Sequence, residues 1–194
     1  FLGGVIKNAE ALSAFFNPTI NSYRRINAPP TKSGATWSPS SISYTGNNRT
    51  HMIRIPDPGR FELRLMDGSA NPYLLQAGII AAGLEGLNNR TDPGEPLNCN
   101  MYTDYKNYSH LKKLPDEIED SIKELEDSKE LREAFGEDVI NSYIKLKTYP
   151  VGSTNIFDIY IYIKSIISPQ EGLPANSYQH AHFRALWRPA ACSG

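Results

Sequence analysis

The pattern of apolar and polar residues begins with a helical segment and continues into a turn-rich stretch. Residues 5–16 carry apolar side chains at a roughly helical period, and Asn17-Pro18 ends the pattern. Residues 19–48 contain many turn-forming residues, among them Pro29-Pro30 and Gly46-Asn47-Asn48. A long loop is therefore predicted between the first helix and the next regular element.

Two short strands are predicted next, at residues 51–55 and 60–65. Only Pro56-Asp57-Pro58-Gly59 separates them, and a connection this short favours an antiparallel pair. Asn71 and Pro72 then provide an N-cap and a first-turn residue for a helix that is apolar on all sides, which we expect to be buried. Further helices are predicted at residues 116–126, 129–135 and 137–147.

The second strand alternates apolar and charged side chains. Because successive strand residues point to opposite faces, Phe61, Leu63 and Leu65 can enter a core, and the opposite face then carries Arg60, Glu62 and Arg64. One carboxylate between two guanidinium groups suits a metal ion and an anionic substrate. The alternative is an exposed strand with a ladder of charges, which requires no function.

Arginines are concentrated in the first third of the chain. Guanidinium is planar, permanently charged and able to bind carboxylate or phosphate with two hydrogen bonds. The only acid embedded in this motif is Glu62, so we expect an anion site rather than internal ion pairing. The alternatives are solvated surface arginines or a nucleic-acid patch, and the net charge of -1 disfavours the latter. The arginines concerned are Arg24, Arg25, Arg49, Arg54, Arg60 and Arg64.

Composition narrows the class of protein. The 194 residues, 40% of them hydrophobic, suffice for one domain with a core. No apolar run reaches the ~18 residues of a membrane span, and the first residues do not resemble a signal peptide. Cys99 and Cys192 lack metal-ligand spacing, which favours a reducing compartment. The first residue is not Met, which suggests that the chain begins within a longer one.

Five segments together resemble consecutive signatures of the glutamine synthetase catalytic domain. They occur in the family's order and near its spacing, and the resemblance covers residues 1–147. The segments INAP at 26–29 and SGATW at 33–37 resemble a branch that contains glutamate–methylamine ligases as well as glutamine synthetases. The five segments are FLGGVI at 1–6, NPTINSYRR at 17–25, residues 48–56, RFELR at 60–64 and DGSANPY at 67–73.

The resemblance implies a fold and a reaction. The expected fold is α+β, an antiparallel sheet flanked by helices that forms the C-terminal portion of the catalytic domain. The expected activity is ATP-dependent formation of the γ-amide of glutamate from ammonia, through γ-glutamyl phosphate, with Mg²⁺ or Mn²⁺. A cytoplasmic homo-oligomer without nucleic-acid or membrane partners is expected for the full-length protein. The alternatives are a glutamate–methylamine ligase and a non-catalytic fragment of the same fold.

Residue roles follow from the same resemblance. Arg25 corresponds to an arginine that holds the substrate carboxylate, and Arg64 to one that serves the glutamate end and the γ-phosphoryl group. Arg49 and Arg54 correspond to arginines that contact phosphate oxygens in catalysis, and Arg60, like Arg54, lies at the nucleotide. Glu62 corresponds to a carboxylate that binds a divalent metal. Oxygen ligands suit such a hard cation, and arginines neutralise phosphate charge during phosphoryl transfer.

The sequence also departs from the family pattern. The other metal-binding carboxylates, a metal-binding histidine and the N-terminal domain lie upstream of this segment in the family, so the chain alone is expected to be inactive. Residues 26–31 lack the acid that helps to deprotonate ammonium, which leaves the amine open. Tyr102 falls where some bacterial members carry an adenylylated tyrosine, although its neighbours differ. Residues 148–194 have no family character, and a shifted reading frame or foreign junction is one explanation.

Overall fold

Helices supply most of the regular structure in the computed structural model, which describes residues 1–28 and 38–148. These residues also include a 3-10 helix, Tyr105–Tyr108. The described helices are α1 Leu2–Lys7, α2 Ala9–Phe16, α3 Ile20–Ile26, α4 Pro72–Asn88, α5 Ile118–Asp127, α6 Lys129–Phe135 and α7 Glu137–Thr148. The strands are β1 Tyr44–Thr45, β2 Ile53–Asp57 and β3 Arg60–Leu63.

The first helical segment is divided into α1 and α2 at Asn8. The Asn8 side chain donates a hydrogen bond of 3.0 Å to the carbonyl of Gly4, and Asn8 is buried. A side-chain amide that bonds to local backbone competes with helix continuation, which accounts for the break. The single helix predicted over residues 5–16 is therefore two.

Helix α3 lies inside the stretch that was predicted to be a loop. The Thr19 hydroxyl caps this helix by accepting a hydrogen bond from the backbone nitrogen of Ser22. In return, the Ser22 hydroxyl accepts one from the backbone nitrogen of Thr19. This reciprocal arrangement satisfies two donors that a short helix would otherwise leave free. The helix matters because Arg24 and Arg25 lie in its last turn.

The sheet is small and mixed. Strands β2 and β3 pair antiparallel, as predicted, while β1 pairs parallel to β2, with Tyr44 opposite Ile53. Strand β2 begins at Ile53, two residues later than predicted, and extends through Pro56 to Asp57. The expected α+β class is confirmed, and helices and strands share one core. The sheet itself is mixed, whereas an antiparallel sheet was expected.

Helix α4 begins as predicted but is not fully buried. The Asn71 side chain accepts hydrogen bonds from the backbone nitrogens of Tyr73 and Leu74, and Pro72 occupies the first turn. One face packs on α1 and α2, whereas the opposite face is exposed, so the expectation of complete burial is wrong. The exposed stripe consists of Tyr73, Ile80, Leu84 and Leu87, with 50–83% of each residue accessible.

The core is centred on α2. Leu12, Phe15 and Phe16 are fully buried against α4, α5 and the end of the hairpin. The Phe15 ring meets the Tyr143 ring of α7 edge-on at 4.9 Å, and the Tyr143 hydroxyl donates to the carbonyl of Ala14 at 2.6 Å. This hydrogen bond and the edge-on ring contact together hold α7 against α2.

Helices α5, α6 and α7 match the three helices predicted after residue 115 to within one or two residues at each end. Between residues 1–28 and 38–148, no helix is both long enough and apolar enough to cross a bilayer. The described part of the chain ends with α7 at Thr148. Apart from Thr148, the predicted atypical tail at residues 148–194 lies outside the described residues, as does most of the INAP–SGATW segment.

Helices α1 and α4 cross at unusually close range because both carry glycine at the contact. A Cβ atom added to Gly86 would overlap the backbone nitrogen and Cα of Gly4. The reverse also holds, since a Cβ on Gly4 would lie 2.7 Å from the Gly86 backbone. The crossing therefore requires that neither residue has a side chain.

Gly86→Ala is expected to lower the free energy of unfolding by about 1–3 kcal/mol, since the added methyl group must push the helix backbones apart. Urea denaturation monitored by circular dichroism measures the change. Gly68→Ala is the matched control, because nothing lies within 4 Å of a Cβ at that position. Equal stability of the two variants would show that the helices do not cross as described.

Candidate active site

The β2–β3 register places Arg54 directly opposite Glu62. The Arg54 guanidinium donates a hydrogen bond of 2.7 Å to Oε2 of Glu62, and only 12% of the arginine side chain is exposed. Asn47, in the turn before β2, accepts from Nε of Arg54 at 3.0 Å. These bonds fix both members of the pair, so the carboxylate has one defined direction on the sheet face.

Arg60 reaches the same carboxylate from the hairpin turn. One of its nitrogens lies 3.6 Å from Oε1 of Glu62 and 3.5 Å from Oδ2 of Asp57. Gly59 precedes it with a φ of +79°, a backbone conformation that favours glycine. Arg60 is 61% exposed, so its ion pairs are solvent-screened and contribute little to stability. Its guanidinium can therefore turn to a ligand at low cost.

The arginines keep Glu62 ionised. The hydrogen bond from Arg54 lowers the pKa of the Glu62 carboxyl below its ordinary value, against a smaller opposing effect of desolvation. The charges of Arg54, Arg60 and Arg49 act in the same direction. Since a depressed pKa favours the charged form, this interaction stabilises the fold above the carboxyl's unfolded pKa and is lost on acidification.

Arg49 and Arg64 complete the group at one end of the hairpin. The Arg64 guanidinium donates to the backbone carbonyl of Arg49. The Arg64 backbone nitrogen donates to the carbonyl of Met52 at 2.8 Å. Arg49 itself is exposed. The turn before it is held by Asn48, whose side chain donates to the carbonyl of Cys99 at 2.8 Å. We call Arg49, Arg54, Arg60, Glu62 and Arg64 the hairpin cluster.

Arg25 belongs to a separate group beside the end of β3. Its guanidinium donates to Oδ1 of Asn17 at 2.8 Å and to the carbonyl of Leu65 at 3.2 Å. Another nitrogen donates to Ser38 at 3.0 Å, and Nε lies 3.7 Å from Oδ2 of Asp67. Leu65 comes two residues after β3, so this group is tied to the same hairpin. About a third of the Arg25 side chain is exposed.

Two buried donors in the Arg25 group lack an acceptor. Neither Asn17 Nδ2 nor Arg25 Nε has a hydrogen-bond partner among the described residues. A buried donor without a partner costs about 1–3 kcal/mol, and such groups in native proteins usually meet a water, an ion or a ligand. The group is therefore an incomplete polar site, which suits an anionic oxygen.

Asp67 supplies the negative charge opposite Arg25. Burial raises the pKa of the Asp67 carboxyl, but hydrogen bonds from Ser69 and Ser22 and the nearby Arg25 charge outweigh it, and the net shift is downward. The Ser69 backbone nitrogen and hydroxyl donate to Oδ1 at 2.7 and 2.8 Å. Asp67 is therefore ionised and holds Arg25 in place.

The expectation that these arginines avoid internal ion pairs is wrong. Glu62 pairs with Arg54 and Arg60, and Asp67 pairs with Arg25. The cross-strand register brings Arg54 to Glu62, and the predicted hairpin did not fix this register because the strands are irregular between Arg54 and Asp57. Asn17 and Asn47 gave no chemical signal, since an amide in a turn is ordinary.

Glu62 fits a divalent cation only as one ligand among several. Magnesium often takes one or two carboxylates together with waters and substrate phosphates. Residues 1–28 and 38–148 contain no group of three His, Cys, Asp or Glu side chains arranged to hold a metal. A complete metal site would therefore need donors beyond the described residues.

Comparison with known proteins identifies the family. The model of the glutamine synthetase catalytic domain matches residues 1–156, about four-fifths of the chain. The chain belongs to the glutamine synthetase family. A glutamine synthetase from Rhizobium meliloti is 56% identical over 147 residues, which cover 76% of this chain and 34% of that protein. A glutamate–methylamine ligase from Methyloversatilis universalis is 43% identical over 148 residues, covering 74% and 33%.

Comparison of this chain with solved structures also indicates the glutamine synthetase family. The structure described as "GmaS/ADP complex-Conformation 1" has a TM-score of 0.69 and 50% identity, and the match covers 75% of this chain and 34% of that one. The chain thus spans about a third of the length of the relatives it matches. The family resemblance inferred from the five sequence segments is confirmed, while the roles of individual residues remain predictions.

Arg54→Gln is expected to raise the pKa of the Glu62 carboxyl toward its ordinary value, because the hydrogen bond that favours the ionised form is lost. Carbon-13 NMR titration of labelled glutamate carboxyls measures this shift. Arg24→Gln removes an exposed arginine from α3 and should leave the Glu62 titration unchanged. A Glu62 pKa that stays depressed in Arg54→Gln would contradict the described pairing.

Proposed function

We propose that the protein acts in ATP-dependent formation of the γ-amide of glutamate from ammonia, through γ-glutamyl phosphate. The hairpin cluster carries this proposal, because it places one ionised carboxylate, Glu62, among arginines that can bind phosphate. Membership of the glutamine synthetase family and the names of the relatives support it. The proposal concerns the complete polypeptide, since this chain spans about a third of its relatives.

In this proposal Glu62 contributes one oxygen ligand to Mg²⁺ or Mn²⁺, with the remaining ligands supplied by sequence outside this chain. The bound metal would neutralise phosphate charge and orient the γ-phosphoryl group. Arg54 holds the Glu62 carboxylate ionised and directed, while exposed Arg60 and Arg49 bind nucleotide and phosphate oxygens. An ADP complex of a related structure supports the choice of nucleotide.

The Arg25 group is assigned to the glutamate substrate. Its two unsatisfied donors and the partly exposed guanidinium suit a carboxylate, and Arg25 bonds to the Leu65 carbonyl next to Arg64. Arg64 is proposed to bind the other end of glutamate and the phosphoryl group. Arg64 and Arg25 would then hold the two ends of one substrate, which positions the γ-carboxylate to attack the γ-phosphorus of ATP with release of ADP. The resulting acyl phosphate is then placed for attack by the amine, which releases phosphate.

Methylamine is the alternative amine. A relative named glutamate–methylamine ligase supports it, as does the absence of an acid from residues 26–31. The proposal also includes a cytoplasmic location and assembly into a homo-oligomer. A non-catalytic relative of the same fold is the remaining possibility, and the activity assay distinguishes it.

The complete open reading frame that encodes this chain is expected to yield a protein that releases phosphate from ATP only when glutamate, an amine and a divalent metal are present. Phosphate release and mass spectrometry of the amide measure this, with ammonium and methylamine compared as acceptors. A larger kcat/KM for ammonium supports a glutamine synthetase, and a larger value for methylamine supports the alternative. No phosphate release with either amine would refute the ligase proposal.

Arg25→Ala in the complete protein is expected to raise the KM for glutamate by about 10-fold or more, on the 1.5–3 kcal/mol scale of a hydrogen bond to a charged group. The KM for ATP should change much less. Arg24→Ala is the matched control, because the neighbouring side chain is exposed on the same helix. An equal rise in both KM values for Arg25→Ala would count against its assignment to glutamate.

A further inference from the structure

The side-chain amide of Asn47 contacts the hairpin cluster from the turn before β2. Oδ1 of Asn47 accepts a hydrogen bond of 3.0 Å from Nε of Arg54 and a second bond from Nη2 of the same guanidinium. Arginine nitrogens can only donate, so the atom that faces them is the amide oxygen. Asn47 therefore offers an acceptor along one whole edge of Arg54.

These two bonds and the contact with Glu62 hold the Arg54 guanidinium on both sides. Nε and Nη2 form one edge of the planar group, and Nη1, on the other side, donates to Oε2 of Glu62 at 2.7 Å. A planar group bonded along one edge and at the remaining nitrogen cannot rotate without breaking a bond. Because only 12% of the Arg54 side chain is exposed, water has little access to replace those bonds.

The turn that carries Asn47 is itself tied to β2. The carbonyl of Gly46 accepts hydrogen bonds from the backbone nitrogens of Asn48, at 2.8 Å, and Ile55, at 3.1 Å. Ile55 directly follows Arg54, so the backbone contact and the side-chain contact join adjacent residues of β2 to adjacent residues of the turn. The backbone thus places Asn47 next to Arg54.

This arrangement leaves Glu62 with one oxygen for a ligand. Oε2 is bonded to Arg54, whereas the ion pair that reaches Oε1 is the longer one, 3.6 Å from the exposed Arg60 and outside hydrogen-bond distance. The Glu62 side chain is 40% exposed, so a cation can reach Oε1. Mg²⁺ requires nearly ideal octahedral geometry, and the direction of each ligand oxygen therefore matters.

We propose that Asn47 is a positioning residue that holds Arg54 so that Glu62 directs Oε1 at the divalent metal, a role that rests on the metal binding proposed for Glu62. Asn47 touches neither metal nor nucleotide and acts through Arg54. Hydrogen-bonded partners of a metal ligand orient that ligand in the same way. Without Asn47, the Arg54 guanidinium could rotate, and the long Glu62 side chain would lose its fixed direction.

Hydrogen exchange at Arg54 tests the contact in the absence of any ligand. In the 194-residue chain labelled with nitrogen-15, the Arg54 Nε proton is expected to exchange slowly, because it is hydrogen-bonded and little exposed. Its NMR signal is assigned by its loss in Arg54→Lys. Asn47→Ala should speed the exchange about 10-fold, on the scale of one hydrogen bond to a charged group. Rapid exchange of this proton in the wild type would refute the positioning role.

Asn47→Asp is the conservative variant. A carboxylate oxygen at this position can accept the same two hydrogen bonds from Arg54, so the Arg54 Nε proton should still exchange slowly. Asn21→Ala is the matched control, because it removes an asparagine acceptor from Arg24, at 3.2 Å, on the exposed surface of α3. It should leave the Arg54 exchange unchanged.

Metal binding by the complete protein tests the consequence for Glu62. Mn²⁺ affinity, measured from the electron paramagnetic resonance signal of the free ion, should fall about 10-fold in Asn47→Ala, near the lower end of the range for losing a hydrogen-bonded partner of a metal ligand. Asn47→Asp and Asn21→Ala should bind Mn²⁺ about as tightly as the wild type. Equal losses in Asn47→Ala and Asn47→Asp would overturn the proposal, because the acceptor oxygen would then not be the cause.

The wild-type protein distinguishes failure of this role from failure of the proposed function. If it binds Mn²⁺ and Asn47→Ala binds equally well, Asn47 has no positioning role, while the proposed function stands. If the complete wild-type protein binds no Mn²⁺, the metal-binding role of Glu62 is lost, and the role of Asn47 with it. Neither measurement requires turnover, so both can be read independently of ligase activity.

Discussion

The antiparallel register of β2 and β3 is the constraint on which the candidate active site depends. Ile53 lies opposite Leu63 and is fully buried, while the next pair, Arg54 and Glu62, faces away from the core. A shift of one residue would exchange these faces and place a guanidinium among Phe16 and Leu65. The apolar pair therefore enforces the polar one: burial of Ile53 fixes the position at which Arg54 meets Glu62.

Local sequence signals predicted where helices and strands form better than which of them pair with one another. The Asn71-Pro72 start of α4 and the short hairpin connection both rest on chemistry within a few residues, and the structure contains both. Strand β1 has only two residues and exists through its pairing with β2, so no local pattern could indicate it. Helix α3 was missed because Thr19 is paired with Ser22 where the usual capping box has Glu or Gln.

The residues of the candidate site also divide into those with a local sequence signal and those that only tertiary contacts bring in. Its charged members lie close together in sequence and carry a strong chemical signal, which is why Arg54, Arg60 and Glu62 were singled out. Asn17 and Asp67 join Arg25 through tertiary contacts and carry no distinctive signal by themselves. The internal ion pairs were missed for a different reason. The hairpin gave the antiparallel direction, but the bulge between Arg54 and Asp57 leaves the register undetermined by loop length alone.

Internal ion pairing does not conflict with an anion-binding role, because the arginines differ in exposure. Arg54 is almost buried and makes a 2.7 Å bond, so it acts chiefly to hold Glu62 ionised and oriented. Arg60 lies mostly in solvent, where water and salt screen its ion pair with Glu62 and leave it weak. A phosphate with two negative charges can displace contacts of that strength. Arg54 can therefore keep its structural ion pair with Glu62 while Arg60 turns away to bind a ligand.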